Sequence, residues 1–204
     1  MRDVENGAVW SAGYQPSGAK PDSYEVAFSE DRVEISRRDG TLATTLDLVV
    51  SPEDDGEVRR VSVFNLGGRT REIEITSYSE VVLAPSSDDA SHPAFSKLFV
   101  QTEFVPELGA LLATRRRRAP NEAAVWAAHL AVVEGEASGE LQFETDRARF
   151  LGRGNSVRSP VAIGSGRPLS NTVGTVLDPI FSIRRRVRIP VSYTHLTLPT
   201  NREV

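Results

Sequence analysis

Residues 71–83 read REIEITSYSEVVL. Ile73, Ile75 and Ser77 fall on one side of this run and Glu72, Glu74 and Thr76 on the other, and a period of two is the spacing of a half-buried strand. Working back toward the N-terminus, residues 58–66 (VRRVSVFNL) run on as a strand until Gly67-Gly68 breaks it. Residues 42–50 form another run, closed by SPEDDGE, where Pro52 cannot donate to a ladder and Asp-Asp-Gly favours a turn. Residues 24–28 and 32–36 alternate as well, and RDGT at 38–41 supplies a hairpin turn. In the other direction, strands are predicted at 97–105, 109–114, 125–133 and 180–189, while ETDRARFLGRG is a short helix or an irregular turn. Strands with one apolar and one polar face, joined by short turns, predict an all-β fold, an antiparallel two-sheet β-sandwich. Its span is residues 1–190, as one domain.

Composition narrows the function. The 204 residues carry a formal net charge of -4 and a pI near 5.5, whereas duplex-binding surfaces show a basic excess, so no nucleic-acid partner is expected. The absence of cysteine removes disulfides and thiolate metal sites. His92 and His129 have no partners at ligand spacing, so neither a metal site nor a cofactor is expected. The opening MRDVENGAVW lacks the charged-then-apolar pattern of a secretory leader, and no apolar run approaches the roughly 20 residues that span a bilayer. The final stretch, VSYTHLTLPTNREV at 191–204, breaks with what precedes it. It resembles a translated sequencing-adapter sequence, so it is expected to be non-native, and Tyr193 and His195 carry no functional weight.

Several residues are candidates for chemistry. His92, held extended by Pro93, suits either a sugar hydroxyl or a surface loop where a strand begins. His129 shares a strand face with Val125, Ala127, Ala131 and Val133, which points to a buried, satisfied imidazole. Glu53, Asp54, Asp55 and Glu57 cluster in a turn, where like charges are normally solvated, and nothing marks Glu80 or Glu103 as an acid. The runs at 115–118 and 184–186 place neighbouring arginines on opposite strand faces, a pattern of solvated edges or ion-pair networks. GRGN at 152–155 lacks the lysine and hydroxyl of a phosphate loop. Trp10, Tyr14 and Tyr24 stand near one another in sequence with Gln15 beside them. Flat rings stack on sugar C–H faces while an amide binds hydroxyls, although aromatic rings also fill cores.

Taken in order, VWSAGYQP, DSYEVAFSEDRVEISRRDG, VSPEDDGEVRRVSVFN, REIEITSYSEVVLAP, HPAFSKLFVQTEF and ETDRARFLGRG resemble the N-terminal supersandwich domain of the glycoside phosphorylase region of cyclic β-1,2-glucan synthases. That family also holds cellobiose and chitobiose phosphorylases, and its sandwich has the galactose-mutarotase-like form with few short helices. The resemblance implies a downstream helical toroid that supplies the aspartate general acid and most of the phosphate pocket, so no catalytic residue is carried over onto this chain. It implies a β-glucan or glucosyl saccharide as partner, contact with the chain's own helical domain, and a homodimer. It further implies a cytoplasmic domain of a parent glycosyltransferase and phosphorylase in the bacterial inner membrane. Trp10, Tyr14, Gln15, His92 and Phe95 are then the candidate carbohydrate or interface contacts, with the 92–95 loop at a rim. The alternative is a purely structural interdomain or dimerisation module. A mutarotase-like epimerase would need a histidine and a glutamate converging in a cleft, with only His92 and His129 to draw on.

Overall fold

The computed structural model describes residues 1–117 and 119–191, and the backbone alone of 194–203. Arg118, Tyr193 and the side chain of His195 lie outside the described residues. In chain order the elements begin with β1 (Arg2–Asp3), β2 (Ser23–Phe28), β3 (Val33–Asp39), β4 (Leu42–Val50), β5 (Gly56–Asn65), β6 (Arg71–Thr76) and β7 (Ser79–Glu80). Two short helices follow, α1 (Ser86–Ser91) and α2 (Pro93–Lys97), then β8 (Val100–Val105), β9 (Ala110–Arg115), β10 (Trp126–Leu130), β11 (Val132–Glu134), β12 (Glu136–Ala137) and β13 (Gln142–Asp146). The chain ends with α3 (Arg147–Leu151), α4 (Val161–Gly164), β14 (Pro179–Ile189) and β15 (Thr194–Glu203).

Among the described residues these strands make two antiparallel sheets. The smaller has the order β1-β6-β14-β12, with β13 and β7 also on β14. The larger runs β2-β3-β4-β5-β15-β10-β9-β8, with β11 on β15. Val61 and Val63 of β5 meet Ile73, Ile75, Val187 and Ile189 of the smaller sheet in one core cluster, which Trp10 and Leu42 complete. Val100, Leu111, Ala113 and Ala127 meet Phe143, Phe181 and Ile183 in a second. The predicted two-sheet sandwich is the observed one.

The larger sheet overhangs the smaller. Val26, Ile35, Leu46 and Val61 form one cross-strand row on its inner face, yet burial fades along that row from Val61 outward, and Val26 at its end is exposed. In the next row Phe28 is 80% exposed.

Three predicted runs are interrupted. The run 71–83 ends as a strand at Thr76, because the Ser77 N–H and Oγ turn to Ile183 on β14; only Ser79–Glu80 resume pairing. The run 97–105 begins as a helix: Pro93, at the first helical position, is pre-set for a helical turn, and the strand starts at Val100. The run 125–133 divides at Ala131 into β10, paired with β9 and β15, and β11, paired with β15 alone. The segment ETDRARFLGRG does contain a helix, α3, capped by Asp146 Oδ1, which accepts the Ala148 and Arg149 N–H groups at 2.8 and 3.3 Å.

Candidate functional site

An inter-sheet crevice of about 310 Å³ opens where the sheets diverge. Its floor is the inner face of the larger sheet, where Leu46, Glu57, Arg59, Val61 and His129 line it. One wall is the end of the smaller sheet at Ser77 and Tyr78, backed by Phe150 and Ile163; the other is the N-terminal loop through Trp10 and Gln15.

The loop is held by backbone and side-chain bonds that local sequence does not reveal. Ser11 Oγ accepts the Ser17 N–H at 3.0 Å and Tyr14 accepts the Gly18 N–H at 3.0 Å. Arg37 rises from β3 with only 2% exposure and donates to the carbonyls of Gly13 and Ala19, while Asp39 balances its charge at 2.6 Å. The opposite wall depends on Tyr78, whose hydroxyl donates to Glu80 at 3.0 Å and accepts from Arg147 at 3.1 Å. Burial and the neighbouring Glu80 push the Tyr78 phenol up, against the opposing pull of Arg147. Gly152 lets α3 and α4 approach: its φ is +78°, and a Cβ there would stand 2.7 Å from Val161 Cγ1, a conformation and a spacing that suit glycine.

On the floor, Glu57 and Arg59 are paired with one another on the inner face of a strand. Apolar residues are the rule on such a face, so a charged pair there marks a crevice mouth rather than core. His129 lies deeper and is fully buried. Its Nε2 is 2.7 Å from Ser77 Oγ, and its ring stacks on Phe181 at 5.8 Å and 11°. Burial, with Arg59 second, holds its pKa down to about 4. His129 Nδ1 and Trp10 Nε1 have no hydrogen-bond partner among the described residues. The imidazole is buried as predicted, but only half satisfied.

The predicted contacts therefore separate. Trp10 is 4% exposed, a core ring that also lines the crevice, and Gln15 lines the crevice from the exposed loop. Tyr14 is exposed and meets Tyr24 edge-on at 6.3 Å, outside the crevice. His92 and Phe95 lie elsewhere, at the junction of α1 and α2, where His92 caps the second helix through its backbone and Phe95 meets Phe99 at 5.2 Å. His92 is thus a helix-to-helix residue rather than one at a strand's start. Glu57, placed by sequence in a solvated turn, instead faces the crevice from β5, and the signal that could have found it is the alternation Glu57, Arg59, Val61, Val63. The arginine runs divide too. Arg186 joins Arg2 on the buried Glu74 in an ion-pair network, whereas Arg184 and Arg115 are buried and donate to backbone carbonyls of Ala162, Arg167 and Ser96.

A histidine and a glutamate do share this crevice. The imidazole, however, is fully buried with its Nε2 engaged by Ser77 Oγ, and the glutamate is paired with Arg59. No group of three or more metal-ligating side chains occurs among the described residues.

The sequence model of the glycosyl hydrolase 94 supersandwich domain matches residues 1–195. The chain belongs to this family. The supersandwich is 39% identical over 190 residues to the cyclic beta-(1,2)-glucan synthase NdvB of Rhizobium meliloti (strain 1021), which covers 93% of this chain and 7% of that protein. It is 24% identical over 179 residues to the solabiose phosphorylase of Paenibacillus borealis, covering 87% of this chain and 22% of that one. The supersandwich thus spans less than a quarter of either relative. Among its described residues no helix is long and apolar enough to cross a membrane.

Proposed function

We propose that this supersandwich is the carbohydrate-binding and scaffolding domain of a cyclic β-1,2-glucan synthase, serving glycosyl transfer and phosphorolysis by a helical catalytic domain elsewhere in the parent protein. The observation that carries the reading is the 39% identity to such a synthase, sustained over 93% of the chain. Geometry supports both halves of it. The crevice sets Gln15, Glu57 and Arg59 among apolar walls, the mixture a pyranose ring needs. The overhang of the larger sheet, with Val26, Phe28 and Val50 exposed on its inner face, is an apolar surface of the sort a neighbouring domain covers. In this reading the 92–95 junction meets the catalytic domain or a second copy, the domain lies in the cytoplasm beside a membrane-embedded parent, and residues 191–204 stand where the parent's own strand belongs.

The test is titration of the 204-residue chain with sophorose and longer β-1,2-glucans by calorimetry, alongside an assay for sugar phosphate release. Saturable binding without turnover is expected. Phosphorolysis by this chain alone would overturn the reading, and a flat titration would leave a structural module with no sugar contact.

A further inference from the structure

The outer face of the larger sheet carries the chain's second tryptophan. Trp126 on β10 stands across from Thr114 on β9, and Thr114 across from Gln101 on β8, so the three side chains share one row. The next row on that face is Ala128, Leu112 and Glu103. Between them, Ala127, Ala113 and Thr102 are buried in the opposite direction, which fixes the Trp126 side as the solvent face. Strands lie about 4.8 Å apart, so the row from Trp126 to Gln101 is about 10 Å long. At its far end Gly174 pairs with Thr102 through both backbone groups, at 3.0 and 2.8 Å, and lines the hollow together with Thr175. The result is a hollow of about 290 Å³ on what would otherwise be a plain sheet surface.

Trp126 is 41% exposed and Trp10 4%; the ring able to lie against a ligand is the one in this hollow. Gln101 and Glu103 are exposed beside it. An apolar ligand would gain nothing from that amide and carboxylate, and an anion would be repelled by Glu103. A neutral polyhydroxy ring satisfies all three, with a C–H face for the indole and hydroxyls for the amide and carboxylate.

We propose that this hollow is a saccharide site separate from the crevice, in which Trp126 stacks on one glucosyl ring of a β-glucan while Gln101 and Glu103 bind its hydroxyls. The proposal rests on the reading that this domain meets glucan, and adds where. Its test is an ¹H–¹⁵N spectrum of the 204-residue chain, whose two indole signals are assigned with Trp126→Phe and followed during titration with β-1,2-glucan and, separately, tetramethylammonium. The Trp126 indole should shift saturably, whether or not the Trp10 indole also responds from the crevice. Trp126→Ala, at an exposed position, should keep the melting temperature and weaken glucan binding at least tenfold, with Gln101→Ala costing several-fold. Glucan binding that is insensitive to Trp126→Ala overturns the inference and leaves the proposed function standing; a response to the cation but not to glucan overturns it as well. No glucan binding at all overturns both.

Discussion

The His129 imidazole on the larger sheet and the Ser77 hydroxyl on the smaller meet at 2.7 Å, 52 residues apart in sequence. Ser77 Oγ also accepts the Ile183 N–H at 2.9 Å. One serine thus ties the floor of the crevice to its wall, and does so at the point where β6 stops being a strand.

This tie is pH-dependent. The imidazole titrates near 6.5 in an unfolded chain and, held down by burial and by Arg59, at about 4 in the fold. Between those values the unfolded chain takes up a proton that the folded chain refuses. The contribution is therefore complete above pH 6.5 and lost as pH falls toward 4, about 3 kcal/mol in all. Urea midpoints of the wild type should fall across this window more steeply than those of His129→Gln. Parallel profiles for the two proteins would show that the imidazole is not what titrates.

Glu74 should behave with the same sense for a different reason. Burial acts first and pushes its carboxyl up. The hydrogen bond from Arg186, the field of Arg184 and the hydrogen bond from Arg2 outweigh it, so the pKa lies below the usual value. Its contribution is present above the ordinary carboxylate range and disappears as pH drops through the lowered value. Glu74→Gln leaves Arg2 and Arg186 facing an amide and should cost about 3 kcal/mol at pH 7. Thermal melts of variant and wild type should converge in acid, and a gap that persists there would place the loss in packing instead of charge.

The fold was largely legible because side-chain alternation is local. Residues 42–50 were predicted as a strand and are β4 at both ends. What failed was continuity: a run such as 71–83 keeps its alternation past Thr76 although the backbone has already turned to Ile183, and no pattern within the run encodes that distant carbonyl. The crevice was less legible for the same reason. Trp10 and Gln15 stand out by residue type, but what makes them walls is Arg37, whose grip on Gly13 and Ala19 reaches back 24 and 18 residues. Trp126 lay inside a predicted strand, and its exposure follows from the parity that buries Ala127 and His129.

Arg37 offers a direct check on the loop. Its guanidinium satisfies two carbonyls and Asp39 from a buried position, so Arg37→Ala strands those acceptors and should cost about 2–4 kcal/mol. The loss should be concentrated locally. Amide exchange in residues 11–19 should accelerate more than tenfold while β14 keeps its protection, and Arg37→Lys, lacking the planar fork, should recover little. Uniform acceleration across the chain would mean that Arg37 supports the sandwich as a whole and not the crevice wall.

The last prediction concerns β15, whose backbone pairs with β5 on one side and with β10 and β11 on the other. Deleting residues 191–204 would leave β5, already paired with β4, and β10, already paired with β9, facing each other across an empty strand position. Two open ladders at about one strand's separation are a template for other chains. The truncated protein should therefore lose its cooperative melt or enlarge in light scattering. Appending an unrelated ten-residue segment of alternating pattern should restore both properties, because backbone hydrogen bonds to β5, β10 and β11 are what the position requires. That rescue is the result expected if this stretch substitutes for a strand of the parent protein. A truncated chain unchanged in size and melting temperature would show instead that the larger sheet closes without it.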